Sequence, residues 1–244
     1  MIIPSMSGSQ NIRTFNNRVK DLLIREIQGK TLLEIGVGRA GDLHKWVNHG
    51  IPKVRGIDIS PTSLEEARRR TQEKEKEIFR RLDYRYVLSD SEIPPGETFQ
   101  AVSCQFAMHY FFESWEKIDE LMGIVTRRLE PGGLFLCTAF DADRIQVPFE
   151  NEFLTIEPTE CTNKILVCLR DTLYFGKDKS IPEYRVYPET LYAACNEHGL
   201  EVLRTIPFRE FAPMIKIHAR LAPEEKKVCF LYNAYIIRKK LPNS

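Results

Sequence analysis

Apolar residues in this chain recur with two alternating periods, and the alternation predicts the fold. Ile12, Phe15, Val19, Leu22 and Leu23 fall at helical spacing and predict an amphipathic helix over Asn11–Glu26, closed at Gly29. Short apolar runs then alternate with helical stretches. Thr31–Gly36, Lys53–Ser60, Tyr84–Asp90, Phe99–Phe106 and Leu134–Phe140 read as strands. Leu43–Asn48, Ser60–Arg81 and Trp115–Leu129 read as helices, the second with Pro61 in its first turn. Pro131-Gly132-Gly133 is expected to break the chain before the fifth strand. Strands alternating with helices predict a doubly wound, mostly parallel sheet in an α/β fold.

The alternation lapses after about residue 145. Phe153–Ile156, Ile165–Leu169 and Thr172–Phe175 read as short antiparallel strands, an inserted hairpin region over residues 145–187. Pro188–His198 is expected to be helical and to end at Gly199. Leu200–Ile206 and Val228–Ile237 are expected as closing strands, for seven in the main sheet. Residues 1–10 read as a flexible leader, and 11–244 as a single domain.

Composition narrows the picture. The chain has 244 residues, is 43% hydrophobic and 28% charged, and carries a net charge of +1, which suits a water-soluble domain and gives no bulk electrostatic footprint for a long nucleic acid. No apolar run is long enough to span a bilayer, and the start does not read as a signal peptide. The six cysteines form no C-x-x-C pair and mostly sit in apolar runs. Free buried thiols in a reducing, intracellular compartment are therefore expected, with neither disulfides nor a metal site.

Candidate chemistry gathers at the strand ends. The turn after the first strand, Glu34-Ile35-Gly36-Val37-Gly38-Arg39-Ala40-Gly41-Asp42, can bend sharply and admit a ligand close to its backbone. Asp58 ends the second strand 22 residues after Gly36 and suits the two hydroxyls of a ribose. This pair fits a nicotinamide enzyme or a methyltransferase. Glu34 would repel a pyrophosphate but suits the cationic methionine end of S-adenosylmethionine. Asp90 and Ser91 follow the third strand, where a ligand crevice is expected; Asp90 suits an adenine amino group, or else caps a turn. Gln105 ends the fourth strand on the same edge. Asn16, Asn17 and Lys20 share a helix with Arg13, within two turns. Arg39 and Lys45 flank the glycine turn and suit phosphates, and Arg70 lies in a basic cluster on the long helix. His109 and Tyr110 add polar and aromatic groups in Ser103–Ser114. Glu183 can accept from both N1–H and the 2-amino group of guanine.

Taken with their order, these segments resemble a known family. RTFNNRVKDLLI, LLEIGVGRAGDLHKW, GIDIS, SCQFAMHYFFES, IPEYRVY and LYNAYIIRK are similar to the signatures of the mRNA cap guanine-N7 methyltransferases. The resemblance implies a Rossmann-like methyltransferase with helices on both sheet faces, using S-adenosylmethionine and releasing S-adenosylhomocysteine. It implies cofactor contacts from Lys20, Glu34, Gly36, Gly38, Asp58, Asp90, Ser91, Gln105 and Tyr110. It implies cap contacts from Asn16, Asn17, Arg39, Lys45, Arg70, His109, Glu183 and Tyr232. His109, Tyr110, Glu183 and Tyr232 would position the reactants, and none would act as acid or base. The implied partner is the capped 5′ end of mRNA. An RNA triphosphatase or guanylyltransferase, in cis or in trans, is a further expected partner, and the chain is expected to be a monomer that does not engage membranes. The family loop usually reads GCGKGGD, so Arg39 and Ala40 are departures. The long basic tail of cellular members does not precede residue 11, which reads as a viral or microbial enzyme or a domain of a larger capping protein. That reading places it in host cytoplasm or virion if viral, in the nucleus if cellular. A methyltransferase-like subunit without activity and a small-molecule methyltransferase stay open as alternatives.

Overall fold

The computed structural model describes residues 10–170, 179–216 and 221–242. Helix α1 (Gln10–Arg25) buries Ile12, Phe15, Val19, Leu23 and Ile24 along one stripe. Strand β1 (Leu32–Ile35) follows, then α2 (Leu43–Asn48), β2 (Lys53–Ile57), α3 (Pro61–Ile78) and β3 (Asp83–Val87). Ser60 caps α3, its hydroxyl accepting from the Ser63 N–H at 3.2 Å. Strand β4 (Phe99–Gln105), a 3₁₀ segment at Met108–Glu113, α4 (Trp115–Arg128) and β5 (Leu129–Phe140) complete the alternating part.

Among the described residues, the insertion forms its own antiparallel sheet of four strands, β6 (Phe149–Glu150), β7 (Leu154–Pro158), β8 (Lys164–Leu169) and β9 (Ile181–Tyr184), in sequential order. A parallel bridge from Asp141 to Val186 ties its exit to the end of β5. Then come α5 (Pro188–Glu197), β10 (Leu200–Pro207), α6 (Phe208–Phe211), α7 (Pro223–Cys229) and β11 (Tyr232–Lys239). The main sheet has seven strands in the order β10-β11-β5-β4-β1-β2-β3. Strand β11 alone runs antiparallel to its neighbours.

Successive side chains of a strand face opposite ways, and both faces of this sheet are covered. Leu32 joins a core with α1, α2, α3, the small sheet and α7. Leu33 and Ile35 join a second core with α4 and α5.

Three expectations need correction, and one segment that the sequence leaves unassigned is defined by the structure. Pro131-Gly132-Gly133 does not separate helix from strand: β5 starts at Leu129, and Phe99 pairs with Leu129 while Ala101 pairs with Leu134, so the tripeptide bulges out of a continuous strand. Val228–Ile237 is not one strand. Val228 and Cys229 end α7, which starts at Pro223 and has the Glu225 carboxylate accepting from the Ala222 N–H at 2.7 Å. A short apolar run is periodic in neither sense, so nothing local marks the change. The segment carrying Glu183 is a strand, β9, held by β8. Five cysteines are buried as expected, whereas Cys161 is exposed. The strand expected at Thr172–Phe175 and residues 1–9 of the leader lie outside the described residues. Among the described residues, no helix is long and apolar enough to cross a membrane.

Candidate active site

The glycine turn, α1, the 3₁₀ segment after β4, β9 and β11 converge on one cavity of about 330 Å³. Its wall includes Asn16, Asn17, Lys20, Glu34, Gly36, Gly38, Arg39, Arg70, Gln105, His109, Tyr110, Glu183 and Tyr232, so most residues singled out in the sequence meet there. The turn is shaped by steric need. Gly36 has φ +73°, and a Cβ on it would stand 2.5 Å from the Ala107 Cβ. A Cβ on Gly38 would meet nothing within 4 Å, so the backbone there faces open space. Ala40, the departure from the family loop, also takes positive φ, +52°.

Asp58 is absent from the wall, but its carboxylate shapes it. One oxygen accepts from the Gly38 N–H at 2.7 Å and the other from the Ser60 N–H at 2.9 Å. Lys45 also stands behind the wall. Its ammonium donates to Asp42 at 2.6 Å and to Asn17 at 3.2 Å. Lys20 donates to the other Asp42 oxygen at 2.8 Å. Sequence reasoning misses Asp42 as a site residue, although it is buried in the cavity wall and joins both lysines. The spacing Asp42-x-x-Lys45 at a helix start is the signal that marks it. Burial works to raise its pKa, yet the two lysines hold it below the ordinary value.

Glu34 meets the opposite fate. Burial first, then the neighbouring Asp42 charge, push its carboxyl up to about 8. Its Oε2 and the Oε1 of Gln105 are buried without hydrogen-bond partners. Gln105 donates its amide to the Ser103 hydroxyl at 3.1 Å, which fixes the orphaned oxygen.

A second pair of orphans belongs to His109 and Glu183. Their Nε2 and Oε2 lie 3.7 Å apart, both buried and both unpartnered. Burial pulls His109 down to about 4 and pushes Glu183 up to about 8. Tyr232 is sandwiched, with the Phe140 ring at 4.1 Å and the Phe208 ring at 5.4 Å, both stacked. The faces of Tyr232 are therefore occupied by protein. The Tyr110 ring sits 4.1 Å from the His109 ring.

Asp90 and Ser91 stand apart. Arg128 donates to one Asp90 oxygen at 2.6 Å and Arg127 to the other at 2.7 Å. Ser91 shares a hydroxyl hydrogen bond with Ser89 at 2.7 Å. Both belong to a 3₁₀ turn, Asp90–Glu92, beyond the end of β3. Arg13, grouped in the sequence with Asn16, Asn17 and Lys20, lines the cavity as well, as do Phe106, Phe153 and Arg170, which sequence alone does not assign to the site.

Residues 5–222 match the model of the mRNA (guanine-N(7))-methyltransferase domain. The chain belongs to that family. It is 31% identical over 243 residues to the mRNA cap guanine-N(7) methyltransferase of Saccharomyces cerevisiae, an alignment covering 85% of this chain and 54% of the yeast protein. With the Schizosaccharomyces pombe protein of the same name it is 28% identical, covering 94% of this chain and 75% of that protein. The chain spans about half the length of the Saccharomyces relative. Both of these relatives come from cellular organisms. Solved structures share the methyltransferase fold. An S-adenosylmethionine-bound amino pentose methyltransferase from Micromonospora echinaspora superposes with a TM-score of 0.63 at 14% identity, covering 98% of this chain and 100% of that one. An S-adenosylmethionine-dependent methyltransferase from Clostridium acetobutylicum gives 0.62 at 11% identity, covering 93% and 90%.

Proposed function

We propose that this domain transfers the methyl group of S-adenosylmethionine to guanine N7 of the 5′-5′ triphosphate cap of mRNA. One observation carries the reading: a single cavity presents two separate sets of buried, unpartnered polar atoms, Glu34 and Gln105 on the main-sheet side and His109 and Glu183 on the side of the small sheet.

The first set fits a cationic amino-acid end. Gln105 Oε1 is an acceptor without a donor, and Glu34 becomes one when it ionises; a bound ammonium supplies the donors and favours the ionised Glu34. Lys20, held by Asp42, supplies a compensating cation for a carboxylate. Asp58 keeps lone pairs for ribose hydroxyls beside its two backbone bonds. The open backbone at Gly38 admits a ligand closely. When bound there, S-adenosylmethionine supplies a methyl group on a cationic sulfur.

The second set fits guanine. An ionised Glu183 accepts N1–H and the 2-amino group together, which adenine cannot offer. Neutral His109 beside it adds a hydrogen bond without adding charge. Tyr232, clamped between two rings, can only offer its hydroxyl edge. Arg39 and Arg70, which line the wall, suit cap phosphates, and Lys45 acts through Asp42 and Asn17.

N7 of guanine carries an in-plane lone pair and no proton, so no residue need act as a base. Holding two reactants in line can supply roughly 7–11 kcal/mol of barrier lowering in favourable cases. The substrate of this reading is the capped 5′ end of mRNA, and the nucleus is the compartment it suggests for a cellular member. The test is transfer of labelled methyl to unmethylated capped RNA, with the product mapped to the modified atom. Label at N7 is the expected result; label elsewhere, or none, overturns the reading.

A further inference from the structure

Phe79 combines two unfavourable choices. It closes α3 in a left-handed conformation, φ +51°, a position usually taken by glycine or asparagine. The residue is also 96% exposed, the most exposed of the large apolar residues among those described. Neither folding nor capping gains from a bare aromatic at that point.

The surroundings of Phe79 explain it. One groove beside the ring is lined by Lys76, Arg80 and Arg81. A second, along the outer edge of β3, is lined by Arg68, Arg81 and Arg85. The two share Gln72, Glu75 and Arg81, so they run into one another. Their carboxylates are already engaged. Glu75 accepts from Arg81 at 3.0 Å and from the Leu82 N–H at 2.8 Å, and Glu92 accepts from the Leu88 N–H at 2.8 Å. What remains is an excess of exposed positive charge ending on a free aromatic face, in a chain whose overall charge is close to neutral.

Arginines along a groove with an aromatic at one end are the recurring arrangement for a single nucleic-acid strand, in which phosphates meet the cations and a base stacks on the ring. Helix α3 is also the wall that groove and cavity have in common: Arg70 lines the cavity and Arg68 the groove. From Arg70 to Phe79 is nine residues, roughly 14 Å of helix rise. We propose that the groove from Arg68 to Phe79 binds the single-stranded RNA that follows the cap. The proposal rests on the cap-methyltransferase reading for its choice of partner. An acidic protein segment is the competing occupant, and a bare ring offers it less than it offers a base.

The test separates the two readings. Binding of a fluorescent, uncapped, single-stranded RNA 12-mer is measured by anisotropy in the intact chain, alongside methylation of a cap dinucleotide. Phe79→Gly suits the left-handed backbone, so it should raise thermal stability while weakening 12-mer binding about fivefold or more. The double variant Arg80→Glu, Arg85→Glu should weaken it further and lower the salt slope by about 0.7 for each phosphate it no longer neutralises. Both should methylate the dinucleotide at the native rate. Native 12-mer affinity in both variants, or no binding by the parent chain, overturns the groove assignment, whatever the dinucleotide shows. A dead dinucleotide reaction with intact groove binding would instead count against the methyltransferase reading alone.

Discussion

His109 Nε2 stands 3.7 Å from Glu183 Oε2, and neither buried atom has a hydrogen-bond partner. His109, Tyr110 and Tyr232 all face Glu183, and none of them is a cation at neutral pH. With burial holding its pKa at about 8, Glu183 is largely protonated in the empty site at pH 7. Guanine needs the ionised form, so base binding must expel that proton. Affinity for a cap analogue should therefore rise with pH, up to about tenfold per unit, and level off above about 8. In Glu183→Gln the profile should be flat and the affinity low. Calorimetry in buffers of different ionisation enthalpy reads the released proton directly, and equal heats across buffers would contradict the assignment.

The same group makes the empty protein pH-sensitive. Its folded pKa lies above the unfolded carboxyl value, so its contribution to stability is complete below about 4.5 and is lost as pH rises through about 8. Thermal melts should show the parent chain losing more stability than Glu183→Gln between pH 5 and 8, by at least a few degrees.

Asp42 compensates two lysines in a buried setting. Asp42→Ala leaves both without their partner, a loss of about 3–5 kcal/mol in comparable cases. Chemical denaturation measures it. Asp42→Asn should recover part of the stability through its hydrogen bonds yet still bind S-adenosylmethionine weakly, because Lys20 is no longer anchored.

Asp58 has a structural part and, in the proposed function, a binding part. Asp58→Ala removes the acceptor of the Gly38 and Ser60 N–H groups. The expected result is a loss of about 1–3 kcal/mol in stability together with loss of S-adenosylmethionine binding by calorimetry. Asp58→Ala with native cofactor affinity would remove Asp58 from the site.

Ala40 adopts φ +52°, where a Cβ is strained. Ala40→Gly should therefore stabilise the chain by about 0.5–1 kcal/mol in thermal melts. Gly36→Ala should do the reverse and abolish cofactor binding, since its Cβ would overlap that of Ala107.

The alternating elements up to α4 are legible in sequence because local periodicity and packing agree there. The glycine turn and Asp58 are legible for the same reason: both follow directly from strand ends. Asp90 is legible as a carboxylate after a strand, but not as one committed to Arg127 and Arg128, which lie 37 and 38 positions away and which no local pattern announces. Lys45 is legible as a cation beside the turn, but not as one committed to Asp42 and Asn17. The boundary between α7 and β11 is hidden within one apolar run. Glu183 is identifiable by its chemistry, while its strand is not, because β9 is short and is defined by its pairing with β8.

That pairing has a consequence for base preference. Ile165 sits opposite Glu183 in the β8–β9 register, and along β9 the buried Glu183 alternates with the exposed Pro182. A slip of one position would turn the carboxylate out to water and bring in a ring or a phenol. With Glu183 as the proposed guanine reader, discrimination among nucleobases would be encoded in how two short strands align, and an insertion that shifted their alignment would blur it with every cavity residue still present in the chain.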